Sequence, residues 1–328
     1  MNLMETRWRL VLPPRIWAII WLLAAALLAA CAPPAQAPTA TPPASATPAA
    51  SSATATATPA ATPTLDRPLR LAVIGDFGEA GPDAAAVAAL IESWAVDFIV
   101  TTGDNNYPAG AADTIDENIG QYYHSYIGDY VGDYPPGAPS NRFFPSLGNH
   151  DWDASSAAPY LEYFNLPGNE RYYDVVWPPL HLFVLDSDPR EPDGVGRSSA
   201  QAAWLEATLI TSRAPWQVVV MHHPPYSSSY HGSTDWMQWP FAEWGADLVL
   251  AGHDHVYERL AVEGLPYITN GLGGSTARYR FYATLAESQV RYNAEHGALF
   301  IEASEDWLRI DFINTDGELI DSVTLSGD

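Results

Sequence analysis

At four points between residues 69 and 255, an apolar run short enough to be a strand ends in glycine followed at once by a metal-type ligand. These are Gly75-Asp76, Gly103-Asp104, Gly148-Asn149-His150 and Gly252-His253-Asp254-His255, and a further run ends Met221-His222-His223-Pro224. This pattern limits the possible folds more than any other feature of the chain. In an open α/β sheet, ligands bind beyond the carboxyl ends of the strands. A glycine there lets the backbone turn sharply, so the next side chain can point into the crevice. Taken singly, Asp76 or Asp104 reads equally well as a cap or turn residue, and His253 or His255 as a core histidine. Five loops delivering Asp, Asn and His to one edge read as a single shared site.

The apolar runs predict strands over Leu69–Gly75, Asp97–Thr102, Phe143–Leu147, His181–Leu185, Gln217–Met221 and Asp247–Ala251. Helical stretches are expected at Asp83–Trp94 and Ser199–Ser212. Further strands are expected at Leu265–Asn270, Ala298–Ala303, Trp307–Asn314 and Leu319–Leu325. Alternating strands and helices followed by consecutive strands imply an α/β domain with mixed sheets, not a pure Rossmann arrangement.

Ahead of this domain, Arg7, Arg9 and Arg15 precede the apolar run Ile16 to Ala30, which ends Leu28-Ala29-Ala30-Cys31. The arrangement reads as an export signal over residues 1–30. Its end resembles the lipobox of bacterial lipoproteins, which implies lipidation of Cys31; the alternative is an uncleaved N-terminal anchor. Residues 31–66 are almost entirely Ala, Pro, Thr and Ser after the cysteine, a composition expected to form an extended tether rather than a fold. Residues 67–328 form the expected domain. Its location is then extracytoplasmic, lipid-anchored to the cell envelope.

The chain carries a formal charge of −24, and all 15 of its basic residues are arginine. The absence of lysine rules out Schiff-base, P-loop and Ser-Lys chemistry, and an acidic surface predicts no nucleic-acid binding. An anionic substrate is admissible only where local cations reverse the field. Asp76, Asp104, Asn149, His222, His253 and His255 are too many ligands for one open tetrahedral ion. They suit two hard or borderline ions bridged by a carboxylate. Pairs of this kind, about 3.5–4 Å apart, activate water and clamp phosphate oxygens.

The blocks Asp76-Phe77-Gly78, Gly103-Asp104-Asn105-Asn106-Tyr107, Gly148-Asn149-His150-Asp151, Val219-Val220-Met221-His222 and Gly252-His253-Asp254-His255 resemble the five-block signature of metallophosphoesterases. Tyr107, three residues after Asp104, resembles the purple acid phosphatases in particular. The resemblance implies an α/β fold of two mixed β-sheets packed as a sandwich and flanked by helices. It implies Fe(III) held by Asp76, Tyr107 and His255, a divalent ion (Zn(II), Mn(II) or Fe(II)) held by Asn149, His222 and His253, and Asp104 bridging the two. His150 would then contact phosphoryl oxygens or the nucleophilic water. His231, nine residues past His222, lies where plant-type members place a histidine thought to protonate the leaving group; the alternative is an exposed loop histidine.

The implied reaction is hydrolysis of phosphomonoesters, with a phosphorylated small molecule as substrate, by attack of a metal-bound hydroxide. A phosphodiesterase on the same centre is the alternative, followed by a surface lipoprotein that binds metal or phosphate without turnover. His223 is expected behind the ligands or exposed, and Asp151 and Asp254 are expected to orient imidazoles. Arg278 and Arg280 either line the cleft or sit on a solvated strand edge. The aromatic segments Tyr122–Tyr134 and Trp236–Trp244 either wall a pocket or cover the core.

Overall fold

The alternating apolar runs pair into two sheets. The computed structural model describes residues 67–327, so the signal, Cys31 and tether lie outside the described residues. The first sheet holds six strands in the order β13-β12-β11-β1-β2-β3. They are β1 (Leu69–Ile74), β2 (Phe98–Thr101), β3 (Phe143–Pro145), β11 (Gly297–Ala303), β12 (Trp307–Asn314) and β13 (Leu319–Ser326). The second holds seven in the order β10-β8-β9-β7-β6-β5-β4. These are β4 (Tyr173–Trp177), β5 (Leu180–Val184), β6 (Trp216–Val220), β7 (Leu248–Ala251), β8 (Tyr257–Val262), β9 (Leu265–Asn270) and β10 (Ser288–Tyr292). The described helices are α1 (Pro82–Ser93), α2 (Gln121–Tyr123), α3 (Asn149–Asp153), α4 (Ala158–Tyr163), α5 (Ala200–Thr211) and α6 (Phe241–Trp244), with short 3-10 and π turns besides.

Both sheets are mixed. β1, β2 and β3 run parallel, as do β5, β6, β7 and β9, and antiparallel strands flank each set. Parallel strands are buried on both faces, and the side chains show it. Trp216, Val218 and Val220 of β6 and Leu248 and Leu250 of β7 share a core with Leu71 and Val73 of β1 and Ile301 of β11. That core lies between the sheets. The alternate residues Val219, Met221, Val249 and Ala251 face outward, under Ala202, Leu205 and Leu209 of α5. Ser199 caps α5 by accepting the Ala202 N–H at 3.1 Å, satisfying a backbone donor the helix leaves free.

Three strands, β4, β8 and β10, are not expected from the apolar pattern. In β8 the run is broken by Glu258, which is fully buried and accepts from the Ser228 N–H at 2.8 Å and the Ser288 hydroxyl at 2.5 Å. A buried carboxylate satisfied from neighbouring loops carries no sequence period. The aromatic segments cover core. Tyr123 is buried against Phe77 and Phe143, and Trp239, Phe241 and Trp244 pack beneath the second sheet. Tyr134 and Trp236 are exceptions, 36 % and 42 % exposed, and the Trp236 ring lies 6.0 Å from that of His223.

Candidate metal centre

The loops after β1, β2, β3, β6 and β7 all leave the carboxyl ends of parallel strands and meet where the two sheets adjoin. The glycines act there mainly through close approach. A Cβ on Gly148 would lie 2.2 Å from the Asp104 nitrogen, and one on Gly252 would lie 2.6 Å from Asp76 Oδ2. Left-handed backbone falls on Gly103 (φ 91°) and on the ligands that follow three of the glycines: Asp76, Asp104 and His253 have φ of 55°, 52° and 68°. Such a conformation is uncommon for residues other than glycine. Backbone bonds hold it, since the Asp76 N–H donates to Gly103 O (3.0 Å) and the His253 N–H to Asp76 Oδ2 (2.9 Å).

The candidate ligands form two groups that share one atom. Tyr107 Oη lies 3.2 Å from Asp76 Oδ1, 3.2 Å from His255 Nε2 and 3.0 Å from Asp104 Oδ2. His222 Nε2 lies 3.1 Å from Asn149 Oδ1, 3.2 Å from His253 Nδ1 and 3.3 Å from the same Asp104 Oδ2. Donor atoms of Asp104, His222 and His253 all fall within 4.8 Å of one another. The outer nitrogens are fixed: His222 Nδ1–H donates to Thr102 O (2.8 Å) and His255 Nδ1–H to Ala277 O (2.7 Å). Each neutral ring then turns its Nε2 lone pair inward, the orientation metal-ligating histidines take.

This donor set fits two cations. One phenolic hydrogen cannot satisfy Asp76, Asp104 and His255 at once, and two imidazole lone pairs facing an amide oxygen repel unless a cation or proton lies between them. Phenolate with carboxylates suits a hard trivalent ion, and imidazoles with an amide suit a borderline divalent one. Without ions, protons carry the balance. Burial pushes Asp104 up, but the His222 charge and hydrogen bond outweigh it and hold the carboxyl low. Burial pushes His222 down, yet Asp104 and Asp76 raise it to about 10. His253, desolvated and next to His222, is held low. Burial and the two aspartates keep Tyr107 well above its ordinary value.

Residues 69–257, more than half the chain, match the family model described as calcineurin-like phosphoesterase. The chain belongs to that family. Among curated calcineurin-like relatives, purple acid phosphatase 17 of Arabidopsis thaliana is 28% identical over 65% of this chain and 70% of its own length. Mouse tartrate-resistant acid phosphatase type 5 is 23% identical over 78% of this chain and 90% of its own length. A solved structure titled GAP50, the anchor in the inner membrane complex of Plasmodium, aligns over 80% of this chain and 90% of its own at 20% identity, with a TM-score of 0.63. The protein is a purple acid phosphatase-like metallophosphoesterase, a metal-dependent phosphoester hydrolase, and its family works with a dinuclear metal centre.

Around this calcineurin-like centre the remaining candidates take distinct places. His150 lies in the first turn of α3, its N–H donating to Asp104 Oδ1 (2.9 Å), its Nδ1 on Pro108 O (2.5 Å) and its Nε2 3.9 Å from Asp104 Oδ2. His231 is exposed, with its ring 4.1 Å from that of His253. His223 is buried, with its ring 4.4 Å from that of His253 and Nδ1 at 2.9 Å from Ser187 Oγ. Burial and neighbouring His222 lower it to about 3.

Asp151 and Asp254 do not orient imidazoles; both hold backbone. Asp151 accepts from the N–H of Gly148 (2.8 Å) and Asn105 (3.1 Å), and burial with nearby Asp104 raises it to about 7. Asp254 accepts from the His231 N–H (2.9 Å) and from the Ser227 hydroxyl. A short loop is pinned most cheaply through its N–H groups, and these carboxylates do that.

Arg190 is a residue the sequence does not single out. Its guanidinium binds Asp188 through two nitrogens (2.7 and 2.8 Å), Asp153 (2.8 Å) and the Asn149 carbonyl (2.8 Å), tying α3 to the loop after β5. No motif marks it, because its partners meet only in the fold. Arg278 is paired outward with Glu295.

Proposed function

We propose that the protein is a phosphomonoesterase of the acid phosphatase type, acting on phosphorylated small molecules. Asp76, Tyr107 and His255 would hold Fe(III); Asn149, His222 and His253 would hold Zn(II), Mn(II) or Fe(II); Asp104 would bridge. The observation that carries this reading is Asp104 Oδ2, which lies 3.0 Å from Tyr107 Oη and 3.3 Å from His222 Nε2, the inward atoms of the two donor groups. When bound, the two ions supply Lewis acidity: they make water a nucleophile and neutralise phosphoryl oxygens in an otherwise acidic surface.

The chain's own residues do the rest. In hydrolysis the bond from phosphorus to the ester oxygen breaks, a water oxygen joins phosphorus, and the leaving oxygen takes a proton. With His150 Nδ1–H on Pro108 O, Nε2 accepts in the neutral ring and donates only in the imidazolium. Nε2 is thus the ring atom that His150 would present to a phosphoryl oxygen. His231, its ring 4.1 Å from that of His253 and its N–H held by Asp254, would protonate the leaving oxygen. Burial lowers its pKa, with Asp254 opposing, so its protonated fraction falls away as pH rises. The lipobox-like end at Cys31 supports a protein tethered to the outer side of a membrane, with its centre open to extracellular esters.

The test is turnover of 4-nitrophenyl phosphate against bis(4-nitrophenyl) phosphate. A monoesterase releases nitrophenol far faster from the first. Faster release from the second would make the protein a diesterase on the same residues. No release from either would leave a binding protein.

A further inference from the structure

The segment joining β9 to β10, residues 271–287, lies along one side of the cluster without strand or helix. It is nonetheless firmly tied. The Tyr279 N–H donates to His255 O (3.0 Å), the Tyr282 N–H to Ser228 O (3.0 Å), the Thr276 N–H to Glu79 Oε2 (3.0 Å) and Asn293 Nδ2 to Tyr279 O (2.7 Å). Two lines of rings lead outward from the candidate ligands. Tyr279 stacks flat on His255, at 4.3 Å and 8°. His231 lies 4.1 Å from His253, and Tyr230 lies 4.9 Å from His231. Tyr230 joins the lines, 5.4 Å from Tyr279 and 5.8 Å from Tyr282.

Tyr230 is 60 % exposed and Tyr282 70 %. Exposing two large rings side by side leaves apolar area in water. Four hydroxyls of these loops are engaged within the protein. Ser227 is spent on Asp254, Ser229 on Arg280 O (3.3 Å), Ser228 on the Leu285 N–H (3.1 Å) and Thr276 on Glu79. The exposed rings of Tyr230 and Tyr282 present flat surface next to His231 and Tyr279. A planar ring needs only faces and edges to stack on.

We propose that Tyr230, Tyr279 and Tyr282 form a leaving-group subsite that selects phosphomonoesters carrying a planar aromatic group. The inference rests on the phosphomonoesterase reading, because it places the phosphoryl group at the ions and the ester substituent against the rings. Tyr279 positions His255 as well as lining the subsite, so the test uses the exposed pair.

Tyr230→Ala, Tyr282→Ala and the double variant of the full-length, ion-loaded protein are compared with wild type. The readouts are kcat/KM for 1-naphthyl phosphate, glycerol 2-phosphate and glucose 6-phosphate, and calorimetric binding of phenylphosphonate and methylphosphonate. Taking the ratio of each variant to wild type cancels the intrinsic reactivity of the esters. Each ring is expected to lower the naphthyl-to-glycerol ratio by about two- to tenfold, and the double variant should lose most of the preference for phenylphosphonate over methylphosphonate. An unchanged ratio, an equal loss for naphthyl and glycerol esters, or a parallel loss for the glucose ester would overturn the subsite. Wild-type protein that prefers phenylphosphonate yet hydrolyses no monoester would defeat the phosphomonoesterase reading and leave the aromatic subsite standing.

Discussion

The two sheets supply different halves of the centre. From the six-stranded sheet come oxygens: Asp76 after β1, Asp104 and Tyr107 after β2, Asn149 after β3. From the seven-stranded sheet come nitrogens: His222 after β6, His253 and His255 after β7. The oxygen half carries the negative charge, and the imidazole half is neutral or cationic. Neither half is a good site alone. One lacks borderline donors and the other lacks charge, so binding two ions requires the seam, and ions bound there hold the sheets together. A cross-sheet tie of another kind joins Arg259 and Tyr257 of β8 to Asp321 of β13, with contacts of 2.6 to 3.1 Å. That one is built from protein charges alone and needs no ion.

The contrast can be broken at its shared atom first. Asp104→Ala should abolish ion pairing at the seam and lower kcat by about a thousandfold or more, since it touches both ions and their positioning. Metal analysis should show fewer than two ions per chain. Next in size is Arg190→Met, which frees the α3 carbonyl that anchors Asn149. Partners that orient ligands typically cost about 10–100-fold in metal affinity or activity when lost. Calorimetric titration with Zn(II) should show one binding event weakened and the other kept. Loss of both events together would mean that Arg190 holds the fold rather than the helix.

Tyr107→Phe sharpens the distinction between the halves. It removes the phenolate and leaves every nitrogen in place, so a visible charge-transfer band from tyrosinate–Fe(III) should vanish while the divalent ion stays, as read by absorption and metal analysis. A colourless wild type with two zinc or manganese ions would remove iron from the account.

The smallest effect belongs to the second tie. Burial pushes Asp321 up, but its bonds from Arg259 and Tyr257 outweigh this and lower its pKa. A carboxyl lowered by folding adds stability above its unfolded pKa and loses it as pH falls through its folded value. Asp321→Asn should therefore lower Tm at neutral pH and flatten the acid limb of the Tm–pH curve below about pH 4, with no change in ion stoichiometry. A shift in ion content would couple the two ties.

Much of this was legible in the chain. The ten expected strands lie at the observed ones to within a residue or two; seven of them are parallel strands whose burial makes them apolar runs, and β11, β12 and β13 are antiparallel. The ligands were legible because each follows such a run directly. What the sequence hid depends on contacts between distant segments. β8 carries a buried Glu258, Arg190 acts through Asp188, Asp153 and a carbonyl, and the exposed tyrosines lie in loops with no period. The glycines before the ligands serve two different ends. Gly103 turns with φ of 91°, but at Gly148 and Gly252 the need is room, and the strained backbone belongs to the ligands Asp76, Asp104 and His253.

The most direct test of the central claim is reconstitution of chelator-stripped protein with stepwise addition of metal, following 4-nitrophenyl phosphate hydrolysis against ions bound per chain. The shared Asp104 predicts no turnover in stripped protein, little at one equivalent and full activity at two. Full activity in the stripped protein or at one equivalent would contradict a centre built across the seam of two sheets.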